Sequence, residues 1–563
     1  MNRIEDLGEV ISTDVLIIGG GISGLVAAIK AREYPVDVLI VERETVGWAG
    51  KAPKGGGAFL VVAPEDNLDK IMDYHVRNIG FYLEDQELLY SYLSESYGAA
   101  ERLAGWGVKM ARDELGKLDL AKNPFGLWSL AGPDLNLQFP LRAKALETGA
   151  TILNKVEVVE LLKQGDRVVG AVGFNTIDGR FLIFKAKATI LANGCCNYKS
   201  RRMWASGTGD SIAAAYRAGA EMRNAEFGNS CCDVLHKNTE YMADRRFLFN
   251  ALGENLSKRY EPEVEPDISL ALVLGMEKEV MEGRGPLFED LSLRPAGFPS
   301  LFGESVRGWV RPHHTKFYSR MYSKLKYGPT PSPRQEVTLR LHSELGPIKV
   351  DHDMKTTLSG LWAIGDASWG GSGAIGASPP PGKMRGSGWG NAVFTAMRGG
   401  KAAADYASRA ASSEIDYSEV RRFKEETFAP MKRSDGLTPE PIIAALQEVV
   451  CPLKYCLRRS KDRLEQALSR VAQIHQRLPE LCARDGHGLC KCHEAKSMVL
   501  CAEMGFRTAL MRTESRGWHY REDYPERDDR NWLRYIVVRK EEQGMNLWTE
   551  PVPIEKFRIQ PSG

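Results

Sequence analysis

Near the start of the chain, one run of residues leaves few folds open. Residues 13–18 are an apolar stretch of strand length, and Gly19-Gly20-Gly21-Ile22-Ser23-Gly24 follows without a gap. Next come the helix-forming residues 25–31 and a second apolar run, 36–41, that ends in Glu42. A strand, a glycine turn, a helix and a second strand in this order make a βαβ unit, which places the chain in the α/β class. In such a unit Gly19 permits the tight turn, Gly21 lets backbone approach a pyrophosphate, and Gly24 lets the helix pack on the strand. Ile22 and Ser23 open the helix beside the phosphates. Glu42 lies 18 residues after Gly24, where a carboxylate accepts hydrogen bonds from ribose hydroxyls, with Arg43 next to it. The reading is a dinucleotide site, and the acid favours NAD or FAD over NADP.

Further glycines decide between the two. The chain has 55 glycines in 563 residues, and 21 of them fall within residues 19–57 and 360–400. The first cluster continues past the βαβ unit through Gly50, Lys54, Gly55 and Gly56, a second backbone-lined loop of the kind a long flavin nucleotide needs. The second cluster follows residues 360–366, a strand ending in Gly365-Asp366, and leads through Gly388 into a helix expected from Asn391 to Tyr406. Asp366 can bond ribityl hydroxyls, and the helix start near Gly390 can stabilise negative charge on a reduced flavin. Between the clusters, 156–162, 168–175 and 180–185 read as strands with turns at 164–166 and 178–179. Residues 188–194 read as a buried strand ending in Asn193-Gly194. Thr208, Gly209 and Asp210 open a helix through Ala220, with Asp210 as its cap or its backbone as an anion holder. No second βαβ unit built on a GxGxxG is read, and no Cys-x4-Cys pair follows closely on the first, so neither a nicotinamide domain nor a disulfide reductase is supported.

The remaining composition excludes other classes. Lys+Arg number 75 against 73 Asp+Glu, which argues against a dedicated nucleic-acid binder. No apolar run reaches the roughly 18 residues that cross a bilayer. The charged first residues lack a signal core, and ten cysteines without one imply reduced thiols, so a cytoplasmic setting is expected. Cys482, Cys490, Cys492 and Cys501 have a C-x7-C-x-C-x8-C spacing that fits no common cluster or zinc pattern, so no metal site is assigned. Residues 494–511 carry apolar residues at helical spacing, which makes Cys501 a helix-face residue. Residues 512–529 are dense in both charge signs, a pattern that reads as a solvated, salt-bridged face.

Five stretches together carry a resemblance: residues 14–30, 188–227, the Gly283-Arg284-Gly285-Pro286 run, 342–366 and 512–532. The chain resembles flavoprotein subunits of the fumarate reductase, succinate dehydrogenase and adenylylsulfate reductase superfamily. The resemblance implies a Rossmann-like FAD-binding domain in two pieces, 1–235 and 344–410, an inserted α+β capping domain at 236–343 and a C-terminal helical region at 411–563. It also implies an enzyme that exchanges electrons between a small anionic substrate and an iron–sulfur partner, hence a hetero-oligomer, with 512–529 near the partner contact. His342, ahead of Gly346-Pro347-Ile348-Lys349-Val350, occupies the place of a substrate histidine.

Departures from the family pattern are informative. The place of the flavin-linking histidine falls at Ala49, which implies non-covalent FAD. The second substrate histidine is replaced near Cys231-Cys232. The proton-donating arginine place falls near Tyr241 or Met242, with Arg245 and Arg246 shifted. In the late loop Arg385 is the expected anion clamp, with Lys383 adding charge. The catalytic candidates are therefore His342, Arg385, Cys231 and Arg246. Adenylylsulfate reduction is one alternative chemistry; an electron-transfer subunit without its own small substrate is another, and an oxidase a third.

Overall fold

The computed structural model describes residues 3–51, 59–122, 127, 129–133, 136–200, 207–236, 245–260, 269–293, 333–368 and 387–561. In chain order the strands that matter here are β1 (Glu9–Ile18), β2 (Val38–Glu42), β3 (Thr151–Asn154), β4 (Val156–Gln164), β5 (Arg167–Asn175) and β6 (Phe181–Leu191). They are followed by β7 (Asn229–Leu235), β8 (Leu248–Phe249), β9 (Leu287–Asp290), β10 (Arg334–Ser343) and β11 (Leu361–Ala363). The helices used below are α1 (Ile22–Ala31), α2 (Asp210–Ala218), α3 (Ser387–Arg409) and α4 (Gly486–Met511).

One seven-stranded sheet has the order β3-β2-β1-β6-β5-β4, with β11 added beside β6. Strands β1, β2, β3, β6 and β11 pair in parallel, whereas β4 and β5 form an antiparallel extension. Val15, Leu16 and Ile17 of β1 and every residue of α1 are buried, as expected for parallel strands covered on both faces. The sequence reading splits β6 into two strands at 180–185 and 188–194. The structure runs them together, because the first half pairs with β5 through Phe181–Lys185 and the second with β11 through Thr189–Leu191. One long strand thus carries two neighbours on one edge, and the peptide at Ala192–Asn193 leaves the sheet immediately after.

Strand β11 brings the second glycine-rich segment into the same sheet as the first, some 300 residues apart in sequence. It is shorter than the sequence implies, and Gly365–Ala367 turns into a 3-10 segment. Helix α3 starts at Ser387, before the expected Asn391, and extends to Arg409. It packs directly on α1. A Cβ at Gly400 would lie 2.6 Å from the Ala27 carbonyl oxygen, so part of the glycine surplus serves this backbone contact.

A second sheet, β7-β10-β9-β8, is antiparallel and has its own small core of Leu248, Leu256, Leu272, Met276, Leu287 and Val337. Register in the β7–β10 pair sets Ser230 opposite His342 and Cys231 opposite Leu341. The C-terminal region is not wholly helical: Arg534–Glu541 and Gly544–Pro551 form a hairpin that pairs with Met222–Arg223. Helix α4 begins at Gly486, well before residue 494, and buries Cys490, Cys492 and Cys501. Among the described residues, no helix is long and apolar enough to cross a membrane.

Candidate functional site

The glycine turn after β1 is built by close contact. A Cβ on Gly24 would sit 1.9 Å from the Gly19 carbonyl oxygen, so α1 can approach β1 only with glycine there. Gly19 has φ +110°, a conformation that favours glycine, and its N–H donates to the Val41 carbonyl at 2.8 Å. Gly21 differs: a Cβ there would meet nothing within 4 Å. Its backbone faces open space, and Gly50 lies beside it, with the Gly21 Cα 3.9 Å from a Cβ built on Gly50. Glu42 stands at the end of β2, where its Oε2 accepts from the Gly20 N–H at 2.6 Å and its Oε1 from the Glu44 N–H at 2.8 Å. Each carboxylate oxygen has a second lone pair for a ribose hydroxyl.

Unpartnered polar atoms gather at the same end of the sheet. The Oδ1 of Asn193 and both side-chain polar atoms of Asn391 are buried without a hydrogen-bond partner. Such groups are costly unless a ligand or water satisfies them. Gly194, with φ +80°, again has nothing within 4 Å of a built Cβ. Gly365, with φ +62°, packs against Ser23: a built Cβ would lie 2.9 Å from the Ser23 hydroxyl oxygen. Gly388 lies in the first turn of α3. The residues present therefore fit a long dinucleotide laid across Gly21, Gly50, Asn193 and Asn391, with Glu42 at its ribose. Lys54, Gly55, Gly56, Arg385 and Lys383 lie outside the described residues, as do Tyr241 and Met242, and Cys231 is described through its backbone alone.

Three sequence-chosen residues turn away to a cluster of their own. The Arg43 guanidinium is paired with Asp210 at 3.1 Å, Glu494 at 2.9 Å and Glu157 at 3.5 Å, and it donates to the Thr208 hydroxyl at 3.4 Å. Lys199 also pairs with Glu494, and the Cys490 thiol donates to Glu157 at 3.6 Å. Burial pushes the Glu157 carboxyl well above its usual range despite Arg43, which keeps a proton on it and evens the charge of the cluster. Asp210 does not cap α2; Gly209 stands at the cap in the left-handed region, and the Asp210 side chain serves Arg43 instead.

A second cluster was not legible in sequence. Lys51, in the loop beyond Gly50, donates to Asp366 Oδ2 at 3.0 Å, to Glu344 Oε1 at 3.3 Å and to the Cys195 sulfur at 3.0 Å. Burial opposes its charge, but Asp366, Cys195 and Glu344 together hold the ammonium well above the usual lysine range. Burial also pushes the Cys195 thiol up to about 12, so it stays protonated. His342 joins through Glu344, its Nε2 lying 3.5 Å from the same Oε1. Arg246 sits in the Arg245–Phe247 turn, where its guanidinium lies over the Phe247 ring. Arg245 is buried and faces Trp518.

The first part of the charged 512–529 segment, 512–521, is the opposite of a solvated face, whereas 523–527 is exposed. Arg512, Glu514, Arg516, His519 and Arg521 are buried. Arg512 donates to Glu226 at 2.7 Å and Glu514 at 2.9 Å, and Arg516 donates to both Glu514 oxygens. Burial, with Arg459 and Arg512 nearby, pushes His519 well below its usual range. The neutral ring accepts from Arg459 at Nδ1 and donates from Nε2 to the Arg512 carbonyl. The segment thereby ties the Glu226 turn to the C-terminal hairpin. The late cysteines do not converge either: Cys492 donates to the Cys482 carbonyl, Cys490 goes to Glu157, and the Cys501 sulfur lies beside Gly209 and Cys196.

Comparison with known proteins agrees with this geometry. Residues 14–240 match the FAD binding domain family, and residues 446–563 match the family described as fumarate reductase flavoprotein C-term. A CoM/CoB fumarate reductase chain of Methanothermobacter marburgensis is 27% identical, over 94% of this chain and 98% of that one. The fumarate reductase flavoprotein subunit of Mycobacterium tuberculosis is also 27% identical, over 97% and 98%. Among solved structures, an E. coli quinol fumarate reductase chain superposes with TM-score 0.83 at 18% identity, covering 99% of both chains. Adenylylsulfate reductase of Archaeoglobus fulgidus gives TM-score 0.77 at 21% identity, covering 98% and 97%; both likenesses are of fold. The cofactor these matches indicate is FAD, and the chain is an FAD-dependent oxidoreductase.

Proposed function

We propose, from the chain's membership of the fumarate reductase, succinate dehydrogenase and adenylylsulfate reductase flavoprotein superfamily, that it is the catalytic subunit of a complex exchanging an electron pair between a small anionic substrate and an iron–sulfur partner. The observation that carries this reading is the junction at Lys51. It joins Asp366, from the flavin-side segment, to Glu344 and His342, at the end of the second sheet. Bound FAD supplies the hydride chemistry. The protein's part is to cradle the dinucleotide with Gly21, Gly50, Asn193 and Asn391, to hold its ribose with Glu42, and to present His342 to the substrate anion. Arg385 is the proposed clamp for that anion. Cys231, one register step from the His342 pair, belongs to the same end of the β7–β10 sheet. The proposed domain division at 235, 343 and 410 leaves β7 in the first piece although it pairs with β10 of the second sheet, so the inserted unit is better begun at residue 229.

The relay would be carried by the partner, since the four late cysteines are spent on separate contacts. The described cysteines form no disulfide, which suits a cytoplasmic setting. Ala49 stands buried where a linking histidine would be, so FAD is expected to be non-covalent. Acid precipitation should release all yellow colour; colour kept in the washed pellet would refute it.

The test of function is anaerobic. Photoreduced protein is mixed with a panel of enoates, adenylylsulfate and sulfur compounds. Reoxidation by one of them identifies the substrate class, and His342→Ala should lose that reaction while keeping FAD. Reoxidation by a protein partner alone would overturn the small-substrate reading in favour of an electron conduit.

A further inference from the structure

Residues 51, 195, 342–344 and 366 come from four separate parts of the chain and meet in one buried cluster. Among the described side chains, two carboxylates, Asp366 and Glu344, share the Lys51 ammonium, and Cys195 contributes a neutral thiol. The exposures are small: Lys51 20%, Glu344 10%, Asp366 14% and His342 3% of the side chain. A buried charge is retained when it is paired. His342 is a titratable group beside Glu344, its Nε2 lying 3.5 Å from the Glu344 oxygen that Lys51 also holds. Across the strand pair His342 is opposed in register by Ser230, with Cys231 next.

We propose that His342 is held as an imidazolium by Glu344, and that Lys51 is a positioning residue that sets how much of the Glu344 charge His342 feels. Placing this acid at the substrate rests on the functional reading above; its protonation does not. Lys51 competes with His342 for one oxygen, so the two neighbours act in opposite senses. Removing the Glu344 charge takes away the imidazolium's counterion. Removing the Lys51 charge frees the shared Glu344 oxygen to act on His342.

The test is a titration of ring-labelled histidine in the FAD-loaded protein by NMR, with the His342 resonance assigned from its absence in His342→Gln. The wild-type ring should titrate above the ordinary histidine value of about 6.5. Glu344→Gln should lower that value, and Lys51→Met should raise it, each by roughly a tenfold change in proton affinity, about one pH unit. Lys51→Arg keeps the cation and should leave the titration near wild type, which separates charge from packing. A His342 ring that is neutral at pH 6, or that moves in the same direction in Glu344→Gln and Lys51→Met, would overturn the proposal. If the ring behaves as stated but no small molecule reoxidises the flavin, the functional reading fails and this one stands.

Discussion

Glu514 is the side chain whose loss should cost the fold most. Its Oε1 accepts from Arg512 at 2.9 Å and Arg516 at 2.8 Å, and its Oε2 from Arg516 at 2.9 Å and the Asp528 N–H at 2.9 Å. The side chains of Arg512, Glu514 and Arg516 are 0% exposed. Glu514→Gln keeps the shape and removes the charge that two buried guanidiniums share. Breaking a buried pair from one side costs about 3–5 kcal/mol, because the other charge stays buried. Here Glu226 still holds Arg512 and Asp529 still holds Arg516. The expected loss therefore lies at the low end, ~3 kcal/mol, on the order of 10²-fold in the folding equilibrium. Equilibrium urea denaturation of the FAD-loaded protein measures it. The control is Arg421→Gln, which breaks a pair whose side chains are 62% and 56% exposed and should stay within about 0.5 kcal/mol of wild type. A double-mutant cycle of Glu514→Gln with Arg516→Met should show coupling of about 1 kcal/mol or more. If Glu514→Gln loses no more than Arg421→Gln, residues 512–529 behave as the solvated face that their charge pattern implies, and the buried network is wrong.

Two further predictions test other links. Gly24→Ala places a methyl 1.9 Å from the Gly19 carbonyl oxygen and should yield little folded protein, whereas Gly21→Ala meets no protein atom and should fold with lowered FAD content, read as the flavin-to-protein absorbance ratio; equal FAD content in Gly21→Ala and wild type would remove Gly21 from the cofactor site. Glu84 is buried with neither oxygen hydrogen-bonded, and burial raises it well above its ordinary 4.5. The unfolded chain therefore loses this proton first, and stability should fall above pH 4.5 by about 1.4 kcal/mol per pH unit until the folded carboxyl ionises; Glu84→Gln should flatten that slope in urea midpoints taken from pH 5 to 8, and an unchanged slope would clear Glu84 of the effect.

Much of the fold was legible because its signals are local. The residues of β1, the glycine turn, α1 and β2 follow one another, so periodicity and glycine spacing declare them together. Gly365-Asp366 was legible for the same reason: a strand and a turn announce themselves within a few residues. What failed was the joining of strands through long-range pairing. Nothing between residues 180 and 194 says that one continuous strand will be paired by β5 in its first half and by β11 in its second, since β11 lies some 170 residues later.

The charges expose the same limit more sharply. Lys51 sits in a glycine-rich loop with no carboxylate near it in sequence, and its partners are 144 to 315 residues away. Arg43 likewise finds Asp210 167 residues on. A charge pattern read along the chain can only assume that ions without local partners face water. In 512–521 that assumption inverts the truth, because the carboxylate answering Arg512 from outside the segment is Glu226, 286 residues earlier; it holds for 523–527, which are exposed. One signal was present: Trp518, Tyr520 and Trp532 interleave the charges, and large aromatic residues are poor company for a wholly solvated face. Dense mixed charge with aromatic interleaving points to a buried, hydrogen-bonded network, and here that network fastens the Glu226 turn, and with it the start of β7, to the C-terminal hairpin. The placing of His342 opposite Ser230 therefore depends on residues that touch neither the flavin cradle nor the Lys51 junction.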